Sequence, residues 1–199
     1  MHKILFFIPI LLLSCVSTQA SMEKSDFEVK VSDEIPSGKY SRKEWKHWID
    51  EDRDCQDTRQ EVLIAESVVV VTFADARNCT VLSGEWHDPY TGEVFTDPKK
   101  LDVDHMVPLA EAWRSGGWKW DAEKKKQFAN DLSNPQHLIA VKAGANRQKG
   151  DKDPSAWLPP LETYRCKYIS DWIRIKQNYS LTADIEESKV LMEMTRLCK

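Results

Sequence analysis

Between Leu101 and Gly150 the chain writes a strand, a helical insertion, a second strand and a short helix, and this order constrains its fold more than any other feature. Leu101, Asp102, Val103, Asp104 and His105 alternate apolar and polar with the period of two of an extended strand. Pro108 stands just inside the run Leu109, Ala110, Glu111, Ala112, Trp113, where its fixed φ and missing N–H suit the first turn of a helix. Ser115, Gly116 and Gly117 end that helix, and a second is expected over 122–130. Residues 138–141 read as a short apolar strand, and 143–149 as a short helix stopped at Gly150. A hairpin followed by a helix brings the end of the first strand opposite that helix.

The flanks supply more helix. Trp45, Trp48 and Ile49 fall at i, i+3, i+4 and predict an apolar helical stripe. Asp57 with Gln60 reads as an N-cap and its capping-box partner, opening a helix over 58–67. The β-branched run 68–73 and the segment 79–86 read as strands, and Asp88, Pro89, Tyr90, Thr91, Gly92 as a turn into a strand at 93–96. After the loop Trp157, Leu158, Pro159, Pro160, the residues Tyr164, Tyr168, Ile169, Trp172, Ile173 and Lys176 mark one amphipathic helix, and 185–197 another. The class is α+β.

The ends place the chain outside the cytoplasm. Lys3 precedes an apolar run from Ile4 to Leu13, about half the length a bilayer-spanning helix needs, so residues 1–20 read as a signal peptide. Cleavage after Ala20 gives a secreted protein; alternatively, Leu12, Leu13, Ser14, Cys15 resembles a bacterial lipobox, in which the cysteine is lipidated and becomes residue one. Five cysteines favour the second reading, since giving Cys15 to lipid leaves the even set Cys55, Cys79, Cys166 and Cys198. Of three possible pairings, Cys55 with Cys79 and Cys166 with Cys198 close the most local loops. Residues 21–39, polar and mixed in charge, read as a flexible tether, and 40–199 as a single domain. The protein is expected in the periplasm or on the cell surface as a bacterial lipoprotein, or else extracellular, touching membrane only through lipid at Cys15.

Three features of the central segment carry chemistry: Asp104 and His105 ending one strand, His137 or Asn134 entering the next, and Asn146 in the helix after it. Singly each has a plain structural reading, as a solvated strand end, a core histidine or a helix cap. Together they suit phosphodiester hydrolysis. A hard divalent cation takes oxygen ligands from a carboxylate and an amide, while a histidine beside it serves as base near neutral pH. The segment LDVDHMVPLAEAW, continued by FANDLSNPQHLIAVKAGANRQKGDKDPSAWLPP, resembles the HNH endonuclease family of small secreted bacterial proteins, similar to the C-terminal domain of the GmrSD restriction enzymes. It is similar, more distantly, to the HNH domain of CRISPR effector nucleases. The likeness extends through CQDTRQEVL, GEWHDPYTGEVF and YRCKY.

The resemblance implies an α+β fold with a ββα-metal (HNH) core carrying a helical insertion, surrounded by N- and C-terminal helices and a small hairpin. It also implies His105 as general base, Asp104 and Asn146 as ligands of Mg2+ or Mn2+, and a middle residue that orients the base. Many members of the family it resembles place an asparagine directly before the second strand; here His137 holds that slot and Asn134 lies three residues earlier.

Formal charge is −4, from 28 basic and 32 acidic residues, so any nucleic-acid partner must be met locally. From Lys99 to Lys152, eleven basic residues face seven acidic ones, a net +4, with Arg147 and Lys149 flanking Asn146 as candidate phosphate contacts. No recognition-helix motif or zinc finger is present, so cutting with little sequence preference is expected, DNA being favoured over RNA, by a monomer. A different reading takes the eight tryptophans as the sign of a non-catalytic envelope protein, with Trp118, Trp120 and Trp157 as a glycan platform. A zinc hydrolase is disfavoured because His105 and His137 lack a third soft ligand.

Overall fold

Asp57 opens the first helix: its side chain accepts from Gln60 N at 3.0 Å, and α1 runs Thr58–Glu66. The computed structural model describes residues 29–198, so the signal-peptide segment and Cys15 lie outside the described residues. Three two-stranded antiparallel sheets follow: β1 (Thr72–Phe73) with β2 (Val81–Ser83), β3 (Trp86–His87) with β4 (Val94–Phe95), and β5 (Leu101–His105) with β6 (Leu138–Lys142). Between the last two strands lie α2 (Leu109–Arg114) and α3 (Ala122–Ala129); after them come α4 (Ala143–Lys149), α5 (Glu162–Asn178) and α6 (Ile185–Leu197). No described helix is long and apolar enough to cross a membrane.

The β5–β6 hairpin is covered on both faces. Leu101, Val103, Leu138 and Ala140 join Val62 and Leu63 of α1 and the buried Trp86 in one core cluster. Ile139 and Val141, alternating to the other face, join Ala145 of α4, Phe128 of α3 and Tyr168, Trp172 and Ile173 of α5 in the larger one. Two-sided cover explains why β6 reads as a continuous apolar run rather than an alternating one. Behind the larger core, the buried Lys176 ties three helices together, donating to Glu111 of α2 at 2.8 Å and Glu187 of α6 at 2.6 Å. Both disulfides form as paired above, Cys55 with Cys79 and Cys166 with Cys198, the second stapling α5 to the end of α6.

Several expectations are corrected. Trp45, Trp48 and Ile49 lie on no helix; only a 3-10 turn at Arg42–Glu44 forms, and Trp48 takes φ +56°. Asn130 competes for this backbone, its amide accepting from Ile49 N at 3.2 Å and donating to Lys46 O at 2.6 Å. Gln60 does not complete a capping box, because its side chain accepts from Val81 N at 2.9 Å instead. The strand expected over 68–73 shrinks to β1, leaving Val70 94% exposed, since the facing strand offers only three residues. The segment 79–86 splits at Gly84, where a Cβ would come within 2.6 Å of both Ser67 Oγ and the Trp86 ring. Pro108 is the N-cap of α2 rather than its first residue. The expected tether is anchored before Tyr40: Val29 is buried, and Ser32 N donates to Ala183 O at 2.9 Å.

Candidate active site

β5 ends at His105, so the pleat puts Asp104 and His105 on opposite faces just where the strand stops, and both reach one cleft of about 400 Å3. Asn146 and Arg147 of α4 line the same cleft, as do Tyr40 and Arg42 from the N-terminal segment.

His105 is 5% exposed and held from two sides. Trp48 stacks on its ring, centroids 5.4 Å apart and planes 27° from parallel. Its Nε2 lies 3.0 Å from the carbonyl of Ala129. A carbonyl can only accept, so Nε2 carries the proton and Nδ1 keeps the lone pair. Burial, followed by the neighbouring His137, pushes the imidazole well below its ordinary range, so the ring is neutral at physiological pH. His137 does not reach the cleft. Its Nε2 donates to the carbonyl of Phe128 at 2.6 Å, and its buried Nδ1 has no partner among the described residues. Both carbonyls belong to the last turn of α3, whose C=O groups have no intrahelical donor. The helical insertion thus orients the two histidines through its own end. Asn134 shapes the turn before β6, its side chain accepting from Gln136 N at 3.0 Å and its carbonyl from His137 N at 2.9 Å.

Asp104 is buried, and its Oδ2 accepts from Tyr90 Oη at 2.6 Å and from Lys149 Nζ at 2.5 Å. Burial raises its carboxyl, an effect that Lys149 opposes. Asn146 donates through Nδ2 to Asp102 at 3.2 Å, which turns its amide oxygen into the remaining acceptor. Oδ1 of Asp104 and Oδ1 of Asn146 are hard oxygen donors not committed to these bonds. The donor set fits a small divalent cation.

Lys149, expected at phosphate, is instead 0% exposed: it bonds Asp104 and the carbonyl of His105, the latter at 2.8 Å, because α4 turns it inward onto the hairpin. Much of the local +4 is also consumed within the fold, by Lys125 on Glu44, Lys126 on Glu51 and Glu123, Lys142 on Glu93, and Arg114 on Glu111 and Asp151. Arg147 stays exposed at the cleft, joined there by Arg42. Sequence reasoning missed Arg42, Tyr40, Trp48 and Tyr90, and nothing in their local pattern marks them. The three tryptophans of the glycan reading do not form one platform. Trp118 and Trp120 line a second cleft, while Trp157 packs edge-on against Tyr90 with centroids 5.1 Å apart.

The family model described as GmrSD restriction endonucleases, C-terminal domain, matches residues 57–194. An uncharacterized secreted protein of the fungus Arthroderma benhamiae is 40% identical over 163 residues, which cover 82% of this chain and 78% of that protein. No solved structure matches the chain.

Proposed function

Because the chain belongs to the family of GmrSD restriction endonuclease C-terminal domains, we propose that it is an exported HNH-type endonuclease hydrolysing phosphodiester bonds. The observation that carries this is the convergence of a neutral, carbonyl-oriented histidine with a carboxylate and an amide oxygen in one cleft. His105 acts as general base, its Nδ1 taking a proton from the attacking water while Nε2 stays fixed on Ala129. Asp104 and Asn146 are the residues that would hold Mg2+, or Mn2+, in a ββα-metal core. When bound, the cation supplies Lewis acidity to the phosphate and its leaving oxygen. Arg42 and Arg147 meet phosphate oxygens and offset the charge that develops there. His137 and Asn134 are positioning residues, acting through α3 and the turn before β6.

DNA cut with little sequence preference is the proposed substrate, since the cleft presents no element shaped to read base edges. The secreted relative and the two disulfides support export, with Cys15 lipidation proposed for a bacterial host. The test is incubation of the exported protein with plasmid DNA and with RNA, with Mg2+ or EDTA. Cleavage that needs Mg2+ and disappears in His105→Ala, at unchanged far-UV dichroism, is the expected outcome. Full activity in EDTA or in the variant would overturn the assignment.

A further inference from the structure

The turn leading into α1 carries a register of its own. Asp50, Asp52, Asp54 and Glu61 stand at the first, third, fifth and twelfth positions of the stretch 50–61. This is the register of a calcium loop of the EF-hand type, where positions 1, 3, 5 and 12 supply carboxylates, position 7 a carbonyl, and position 6 a sharp turn. The spacing belongs to the sequence and would stand without any coordinates.

The coordinates meet it independently. One oxygen from each of Asp50, Asp52 and Asp54 lies within 4.8 Å of the others. At the sixth position, where such loops carry glycine, Cys55 takes φ +78° and donates its N–H to Asp50 Oδ2 at 3.1 Å. Gln56 sets its carbonyl at the seventh, and Glu61 lies in the first turn of α1. Within the stretch Glu51 pairs with Lys126, whereas Asp50, Asp52, Asp54 and Glu61 make no ion pair among the described residues. Three carboxylates therefore stand together with no cation of the protein between them, and Glu61 follows at the twelfth position from the first turn of α1.

We propose that residues 50–61 bind one Ca2+ through the carboxylates of Asp50, Asp52, Asp54 and Glu61 and the carbonyl of Gln56, at a site separate from the hairpin cleft. The loop departs from the common pattern in having no entering helix; the Cys55–Cys79 disulfide closes it instead. Bound calcium offsets the mutual repulsion and fixes the start of α1, which packs on β5 and β6. It also fixes the chain just after Trp48, the ring stacked on His105. The proposal stands on the loop alone, so it survives if the nuclease reading fails.

The test uses the disulfide-bonded full chain, stripped with EDTA and dialysed, then titrated with CaCl2 alone by calorimetry and followed by thermal unfolding. The expected Kd lies at roughly 10⁻⁴ to 10⁻³ M, the range of extracellular calcium modules, with a higher unfolding midpoint in Ca2+ than in equal Mg2+. Asp52→Asn and Glu61→Gln should each weaken this site at least about tenfold, through loss of one of few charged ligands, while Asn146→Ala leaves it in place. Absence of heat and of any midpoint shift in the unsubstituted protein at about 10 mM Ca2+, far above that range, overturns the proposal. So does unchanged binding in both loop variants. The unsubstituted protein decides the matter even if a variant misfolds.

Discussion

His105 and Lys149 are both buried, and burial acts on each in the direction of the neutral form. For the histidine this serves the proposed chemistry, because a base must be unprotonated to accept a proton. Its conjugate acid is held well below the ordinary histidine range, so activity should persist as pH falls through about 6.5 and collapse only at lower pH. A profile of kcat/KM against pH checks this; an acid limb centred at or above the ordinary histidine value would mean that another group titrates. Lys149 has a different task. It bridges the Asp104 carboxylate and the His105 carbonyl, fixing the strand end from which both site residues project. Replacing it by methionine strands a buried carboxylate with only Tyr90 as donor, and should cost about 3 to 5 kcal/mol in urea unfolding. A loss under about 1 kcal/mol would show that Asp104 finds another partner or protonates at no cost.

At the scale of elements, what was legible followed from strong periods and firm stops. The strand Leu101–His105, the helices Ala143–Lys149 and Ile185–Leu197 and both disulfides form as their patterns indicate. The segment from Trp45 to Ile49 was misread because an apolar spacing of three and four also arises when tryptophans are claimed separately by tertiary neighbours. Trp45 is claimed by Phe128 and Trp120, and Trp48 by His105. In the site, the residues on β5 and α4 were readable from their order, whereas the carbonyls of Phe128 and Ala129 carry no side-chain signature. Lys149 was misjudged because a helix this short shows no clear inward face in sequence. Asn130, just past α3, is where these elements meet: its amide also accepts from Thr58 Oγ1 at 3.0 Å and donates to Lys126 O at 2.8 Å. Asn130→Ala should therefore destabilise by about 1 to 3 kcal/mol and lower kcat more than it raises KM, since it touches no cleft residue yet sets Trp48 and the end of α3. An unchanged kcat in a folded variant would sever α3 from the base.

Over the whole molecule, buried groups of opposite kind set the response to pH. His105 and His137 are buried with depressed values, so their contribution is present above the ordinary histidine range, about 6.5, and is lost as pH falls below it. Burial raises the Glu66 carboxyl from 4.5 to about 7 and pushes that of Glu187 up against the pull of Lys176, so the contribution of Glu66 is present at acid pH and is lost as pH rises from 4.5 to about 7. The two slopes oppose each other between those limits and flatten the stability curve there. Glu66→Gln, which keeps an acceptor for Ala140 N, removes one of them and should stabilise the protein at pH 8 by up to about 3 kcal/mol while changing little at pH 4. Equal stability of the two proteins at both pH values would show that Glu66 ionises freely. Finally, the pairing of β5 with β6 has a consequence in time. Leu101 meets Lys142 and His105 meets Leu138 only after the whole of α2 and α3 has been made between them. Such non-local closure is slow relative to helix formation. The cleft therefore assembles late, after the helices that come to line and brace it, and any activity it carries is withheld until the two distant strands have met.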